Sequence, residues 1–260
     1  MADVNEFINR PKDISYVIDE LERRNQATFQ GRLNLENVGI AGHSYGGYTA
    51  LAIGGATIDF DYLQQRCDLP FNRVDISQLL ECQALRLPRD AYNFRDERVK
   101  AIYAYNLVNR DIFGANGIGK VNIPTLLASG SYDFAAPPAM QQTTSFTWLQ
   151  SPKKYWMLLQ GQAHVNFDEI DPGIKKSLET VTHLNFPTEG LIKDYVKSTS
   201  VAFFKVHIDN EQDFSNYLRA SYANYISKDE EFDLFLITEK SGPAVVEAVK
   251  KFQTKYKRAE

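Results

Sequence analysis

Apolar positions near the start of the chain recur at helical spacing. Ile14, Val17, Ile18 and Leu21 make one stripe, and Pro11 ahead of them suits a first helical turn, where its missing N–H has no intrahelical acceptor to lose. The spacing predicts a helix over residues 11–24. A polar stretch with Gly31 and Asn34 follows, and then Val38, Gly39, Ile40 and Ala41 read as a short buried strand. Residues 48–53 (Tyr-Thr-Ala-Leu-Ala-Ile) suit a helix. Between them lies a tight, small-residue turn, so this part of the chain reads strand, turn, helix.

Residues 57–97 are less regular. Leu63, Leu79, Leu80 and Leu85 are mixed with charge and with Pro70 and Pro88, which predicts a mostly helical insertion over one face. Further strands are predicted at 99–107, 124–130 and 154–159. Helices are predicted from Pro137 to about Leu149 and over 191–206 and 243–255, while 232–237 fits strand or helix equally. Strands alternating with helices imply an α/β fold, with a mostly parallel sheet covered by helices on both faces. No internal repeat or low-complexity linker interrupts residues 1–260, so one domain is expected.

Composition narrows the function classes. The chain has 260 residues, 43% hydrophobic and 24% charged, enough for one substantial core and ordinary for a globular protein. Its 29 basic and 33 acidic residues give a net charge of -4, which is no footprint for nucleic acid. Lys250, Lys251, Lys255 and Lys257 read as a solvated helix face. No run is long enough for a membrane span. Residues 1–10 contain Asp3 and Glu6 and no apolar core, so no secretory signal is read and a cytoplasmic location is expected. Cys67 and Cys82 are the only cysteines; a disulfide and two buried thiols both remain open, and neither cysteine sits in a metal-binding pattern.

The candidate chemistry centres on Gly42-His43-Ser44-Tyr45-Gly46-Gly47. A serine hydroxyl is a weak nucleophile near pH 7 and needs both exposure and a neighbouring base. Gly-x-Ser-x-Gly at a strand-to-helix turn supplies the exposure, the small residues avoiding clashes in a strained turn. Gly42 and Gly46 fill those two places, and Gly47 gives the helix room to approach the sheet. The N–H of Tyr45 then lies at a helix start, aimed at a developing oxyanion.

A triad in this arrangement follows the order serine, acid, histidine. Of four histidines, His164 comes directly after a predicted strand and the small-residue turn Gly161-Gln162-Ala163. That is the sheet edge where a catalytic base belongs, with His183 held in reserve. His43 is expected to point away from its neighbour Ser44, and His207 to be structural. Asp133 follows the strand ending Ala128-Ser129-Gly130, on the same edge, and would fix the imidazole tautomer. Asp168 and Asp171 read as members of a solvated loop.

These residues resemble cyanobacterial proteins of the dienelactone hydrolase group, relatives of the platelet-activating-factor acetylhydrolases. The likeness runs from Asn9-Arg10-Pro11-Lys12-Asp13-Ile14 through the Ser44 motif and Phe60-Asp61-Tyr62-Leu63-Gln64-Gln65-Arg66-Cys67. It continues to Gly130-Ser131-Tyr132-Asp133 and Gly161-Gln162-Ala163-His164. The resemblance implies an α/β-hydrolase fold and a serine hydrolase that cleaves carboxylic esters, short-acyl lipid esters among them. Dienelactone hydrolases proper use a cysteine nucleophile, so Ser44 points to the esterase branch. No metal or organic cofactor is implied.

The family carries several strands ahead of the helix where this likeness begins, so the chain is expected to be an amino-terminally truncated member. Two consequences are expected. The second oxyanion N–H, taken in conventional hydrolases from a loop after the third strand, would be absent. The nucleophile strand would be an open sheet edge, available to a homo-oligomer or to a complementary amino-terminal chain. The alternative expectation is therefore an inactive remnant or subunit that pairs through that edge.

Overall fold

A computed structural model describes residues 3–70, 75–166 and 171–256. Helix α1 spans Glu6–Phe29, beyond the predicted 11–24 at both ends, so Pro11 lies inside it. Proline there cannot donate to the carbonyl four residues back, that of Phe7. The buried hydroxyl of Tyr48 donates to the Phe7 carbonyl instead, at 2.8 Å. The helix tolerates the proline because a neighbouring side chain supplies the lost donor.

Strand β1 (Val38–His43) and helix α2 (Tyr45–Ile53) flank Ser44 as expected. The insertion carries α3 (Phe60–Asp68), α4 (Ser77–Glu81) and a 3-10 turn (Cys82–Arg86). Residues 87–98 carry no helix, so the insertion is only partly helical. Next come β2 (Val99–Tyr105), α5 (Arg110–Ile118), β3 (Thr125–Gly130), α6 (Gln142–Trp148) and β4 (Lys154–Leu159). The chain then forms α7 (Pro172–Thr182), α8 (Glu189–His207), α9 (Ala220–Ser227), β5 (Leu234–Thr238) and α10 (Gly242–Tyr256).

The five strands form one sheet in the order β1-β2-β3-β4-β5. The first four are parallel, with His43 opposite Tyr105, Tyr105 opposite Ala128 and Ala128 opposite Met157. The ambiguous 232–237 stretch is strand, and it runs antiparallel to β4. Both faces of the central strands are buried, so side chains alternate between two cores. Ile102, Ala104 and Leu127 face a core built with α1, α2, α5 and α6. Ala101, Tyr103, Leu126, Ala128 and Met157 face a second core closed by Tyr195, Ala202, Phe203 and Val206 of α8. Each fully buried Leu or Phe contributes roughly 2–3 kcal/mol relative to exposure.

Cys67 and Cys82 form a disulfide, with Cα atoms 5.8 Å apart. The bond joins α3 to the 3-10 turn beside a buried ionic cluster. Arg66, next to Cys67, pairs with Asp111 at 3.1 Å. Glu81, next to Cys82, accepts hydrogen bonds from the backbone N–H groups of Asp111 and Ile112 at 2.6 and 2.8 Å. Glu81 thus caps the start of α5, and its burial, followed by the nearby Asp111 and Asp75, pushes its carboxyl well above the usual range. Lys250 and Lys251 on α10 are exposed, in keeping with a solvated face; Lys257 lies outside the described residues. Among the described residues no helix is long and apolar enough to cross a membrane.

Candidate active site

The carboxyl ends of β1, β3 and β4 deliver three side chains to one edge of the sheet. Ser44 sits between β1 and α2 at φ 56° and ψ -120°, a conformation rare for a non-glycine residue. The turn is held by its neighbours: Ser44 N–H donates to the Tyr105 carbonyl at 2.9 Å, and the Ser44 carbonyl accepts from Gly47 N–H at 2.9 Å. The glycines are unequal. A Cβ on Gly42 would collide with the Gly46 carbonyl, and one on Gly47 with the Leu107 side chain. At Gly46 a Cβ would meet nothing within 4 Å, so the expected steric role there falls to Gly42 and Gly47.

Asp133 follows β3 and is buried. Its Oδ1 accepts from the N–H groups of Ala135 and Ala136 at 2.9 and 2.8 Å. Its Oδ2 lies 2.8 Å from His164 Nδ1. A carboxylate fed by two backbone donors is an acceptor, so His164 donates through Nδ1 and presents the Nε2 lone pair on its other side. That nitrogen lies 2.8 Å from Ser44 Oγ, within reach for proton transfer. Tyr45 opens α2, where its N–H has no acceptor four residues back within the helix.

The remaining histidines are elsewhere or unexpected. His183 ends α7 in a left-handed conformation and is exposed. His207 ends α8, bonded to the Tyr155 hydroxyl at 3.2 Å, and burial lowers it to about 4, aided by Lys153; its role is structural. His43 meets the site at His164 rather than at Ser44. Its Nε2 is 2.7 Å from the His164 backbone carbonyl, and its ring centroid is 4.9 Å from that of His164. Asp171 is exposed as expected and caps α7, accepting from Gly173 N–H at 2.6 Å; Asp168 lies outside the described residues.

Sequence reasoning missed Asn106, the first residue after β2, which is fully buried. Its Nδ2 donates to the carbonyls of Ala163 and His164 at 3.2 and 3.0 Å, and its Oδ1 accepts from Gly130 N–H at 2.8 Å. Its φ of 45° is a left-handed value that asparagine tolerates better than most residues, and β2 ends just before it, two residues short of the predicted 99–107; an asparagine inside that predicted strand was the available signal.

A cavity of about 310 Å³ opens beside His164, lined by His43, Tyr105, Val165, Ile192 and Val196, with Lys193 and Lys197 also on α8. A larger cavity, about 510 Å³, is lined by residues that include Thr57, Tyr92, Arg95 and Lys120. It lies toward the start of β2 and shares no residue with the Ser44 cluster. Among the described residues no group of three or more His, Cys, Asp or Glu side chains is arranged to hold a metal ion. No family model matches this chain, and no curated protein matches it.

Proposed function

We propose that the chain is a serine hydrolase of the α/β-hydrolase type that cleaves carboxylic esters through an acyl-enzyme on Ser44. The observation that carries this reading is the unbroken line Asp133 Oδ2, His164 Nδ1, His164 Nε2, Ser44 Oγ, with both hydrogen bonds at 2.8 Å. Ser44 Oγ attacks the ester carbonyl while His164 Nε2 takes its proton. Asp133 stabilises the resulting imidazolium without taking a proton itself. Tyr45 N–H donates to the oxyanion. The imidazolium then protonates the leaving alcohol, and a water molecule repeats the sequence to free the acid and Ser44. The mostly parallel sheet is compatible with this assignment, and short-acyl lipid esters are the substrate class taken, with Val165, Ile192 and Val196 forming the apolar wall of the cavity beside His164.

The test is fluorophosphonate labelling of the purified chain together with a p-nitrophenyl acetate burst. The expected result is one label per chain and a burst, both lost in Ser44→Ala. A well-folded wild-type protein that takes no label overturns the reading.

A second reading rests on β1, which pairs only with β2 and forms one margin of the described sheet. Such a margin can add a strand from another chain, making the protein a subunit. A monodisperse, active monomer in solution eliminates it.

A further inference from the structure

The triad accounts for both ring nitrogens of His164 but not for what holds its main chain. Two side chains outside the triad converge on the His164 carbonyl oxygen, His43 Nε2 at 2.7 Å and Asn106 Nδ2 at 3.0 Å. A carbonyl oxygen only accepts, so both groups donate, and His43 carries its proton on Nε2. The two approach from different strands. His43 ends β1 and is exposed, its ring packed against those of His164 and Tyr105 at 4.9 and 5.4 Å. Asn106 follows β2, is fully buried, and also binds the ends of β3 and the 161–164 turn through Gly130 and Ala163.

We infer that His43 and Asn106 are positioning residues for the general base, acting as a two-donor clamp on the His164 carbonyl. The inference rests on the hydrolase reading for its catalytic meaning, although the clamp itself is a matter of geometry. The His164 side chain is 21% exposed, so packing restrains it only in part, and its direction follows the peptide that carries it. A misplacement of about 1 Å at such a group costs about a hundredfold in rate. His43 therefore does more than occupy the variable place in the Ser44 motif: a donor at that place joins the nucleophile's strand to the base's loop.

The test uses the intact chain. His43→Phe keeps a flat ring against His164 and Tyr105 and removes the donor, whereas His43→Gln keeps an N–H. Position 43 is exposed, so both variants should fold; Asn106→Asp, which keeps the acceptor for Gly130 N–H and loses both donations, is a supporting variant at a buried place. The readouts are kcat and KM for p-nitrophenyl acetate, and the NMR signal of the His164 Nδ1 proton, which needs no substrate. His43→Phe should lower kcat by about 10- to 100-fold with KM nearly unchanged, and should broaden the Nδ1 proton signal. His43→Gln should restore both. A His43→Phe protein with wild-type kcat and a sharp signal overturns the clamp. If the wild-type chain hydrolyses no ester, the function reading fails, and the proton signal alone decides whether the clamp holds.

Discussion

The hydroxyl of Tyr48 stands in for the amide that Pro11 lacks, donating to the Phe7 carbonyl at 2.8 Å. The contact joins α1 to α2, the helix that follows Ser44. Tyr48→Phe should leave this buried carbonyl unpaired, at a cost of about 1–3 kcal/mol. Pro11→Ala returns a main-chain donor to the same oxygen, so the tyrosine substitution should cost less in that background. A double-mutant cycle by denaturant unfolding measures the difference. Equal costs in both backgrounds would show that the two residues are not coupled.

Asp133→Asn should test the tautomer. Ala135 and Ala136 N–H groups hold Oδ1, so the amide oxygen of asparagine should occupy that place and its NH₂ should face His164 Nδ1. The imidazole is then forced to carry its proton on Nε2, toward Ser44, where it is no longer a base. The expected loss in kcat is about 10⁴-fold, with folding unaffected; pre-steady-state acylation rates measure it.

Reduction of the Cys67–Cys82 bond should destabilise the insertion and the start of α5 together. The sequence separation is 15 residues, and a loop of that length corresponds to about 3 kcal/mol of lost constraint. Thermal unfolding with and without reductant, or of Cys67→Ser with Cys82→Ser, should show a lower midpoint. An unchanged midpoint would mean that the buried Glu81 and Arg66 contacts hold this region alone.

Asp96 sets an acid limit. Arg98 hydrogen bonds, aided by Ser15, hold its carboxyl at about 2, below the usual 3.8. The folded state thus favours the ionised form, and the stabilisation is fully present above the unfolded value and disappears as pH falls toward 2. The loss is on the order of 1–2 kcal/mol. Asp96→Asn should flatten the stability profile between about pH 4 and 2, measured by urea unfolding at a series of pH values.

Much of the strand pattern was legible because the sheet is buried on both faces: 154–159 stands out as an apolar run and coincides with β4. Ser44, Asp133 and His164 were legible for a related reason, since parallel strands send their carboxyl ends to one side. Helix α5 escaped because Gly114, at φ 56°, breaks its periodicity, and α7 because it buries no residue. Helix α1 was read too short at its amino-terminal end, since the rule against interior proline takes no account of a hydroxyl arriving from Tyr48. The contact of His43 with His164 was not legible for a similar reason: alternation along β1 gives the face of a side chain, but not the loop from β4 that folds over it.

The register of the parallel strands makes the sheet a measuring frame for the contact between Ser44 and His164. Ser44 and His164 belong to strands separated by two others, and their contact spans only 2.8 Å. Sliding any strand by a single residue moves its end by about 3.3 Å, more than that whole contact. A register slip therefore breaks the contact outright, and on heating any fluorophosphonate labelling of Ser44 should vanish with sheet circular dichroism as one event.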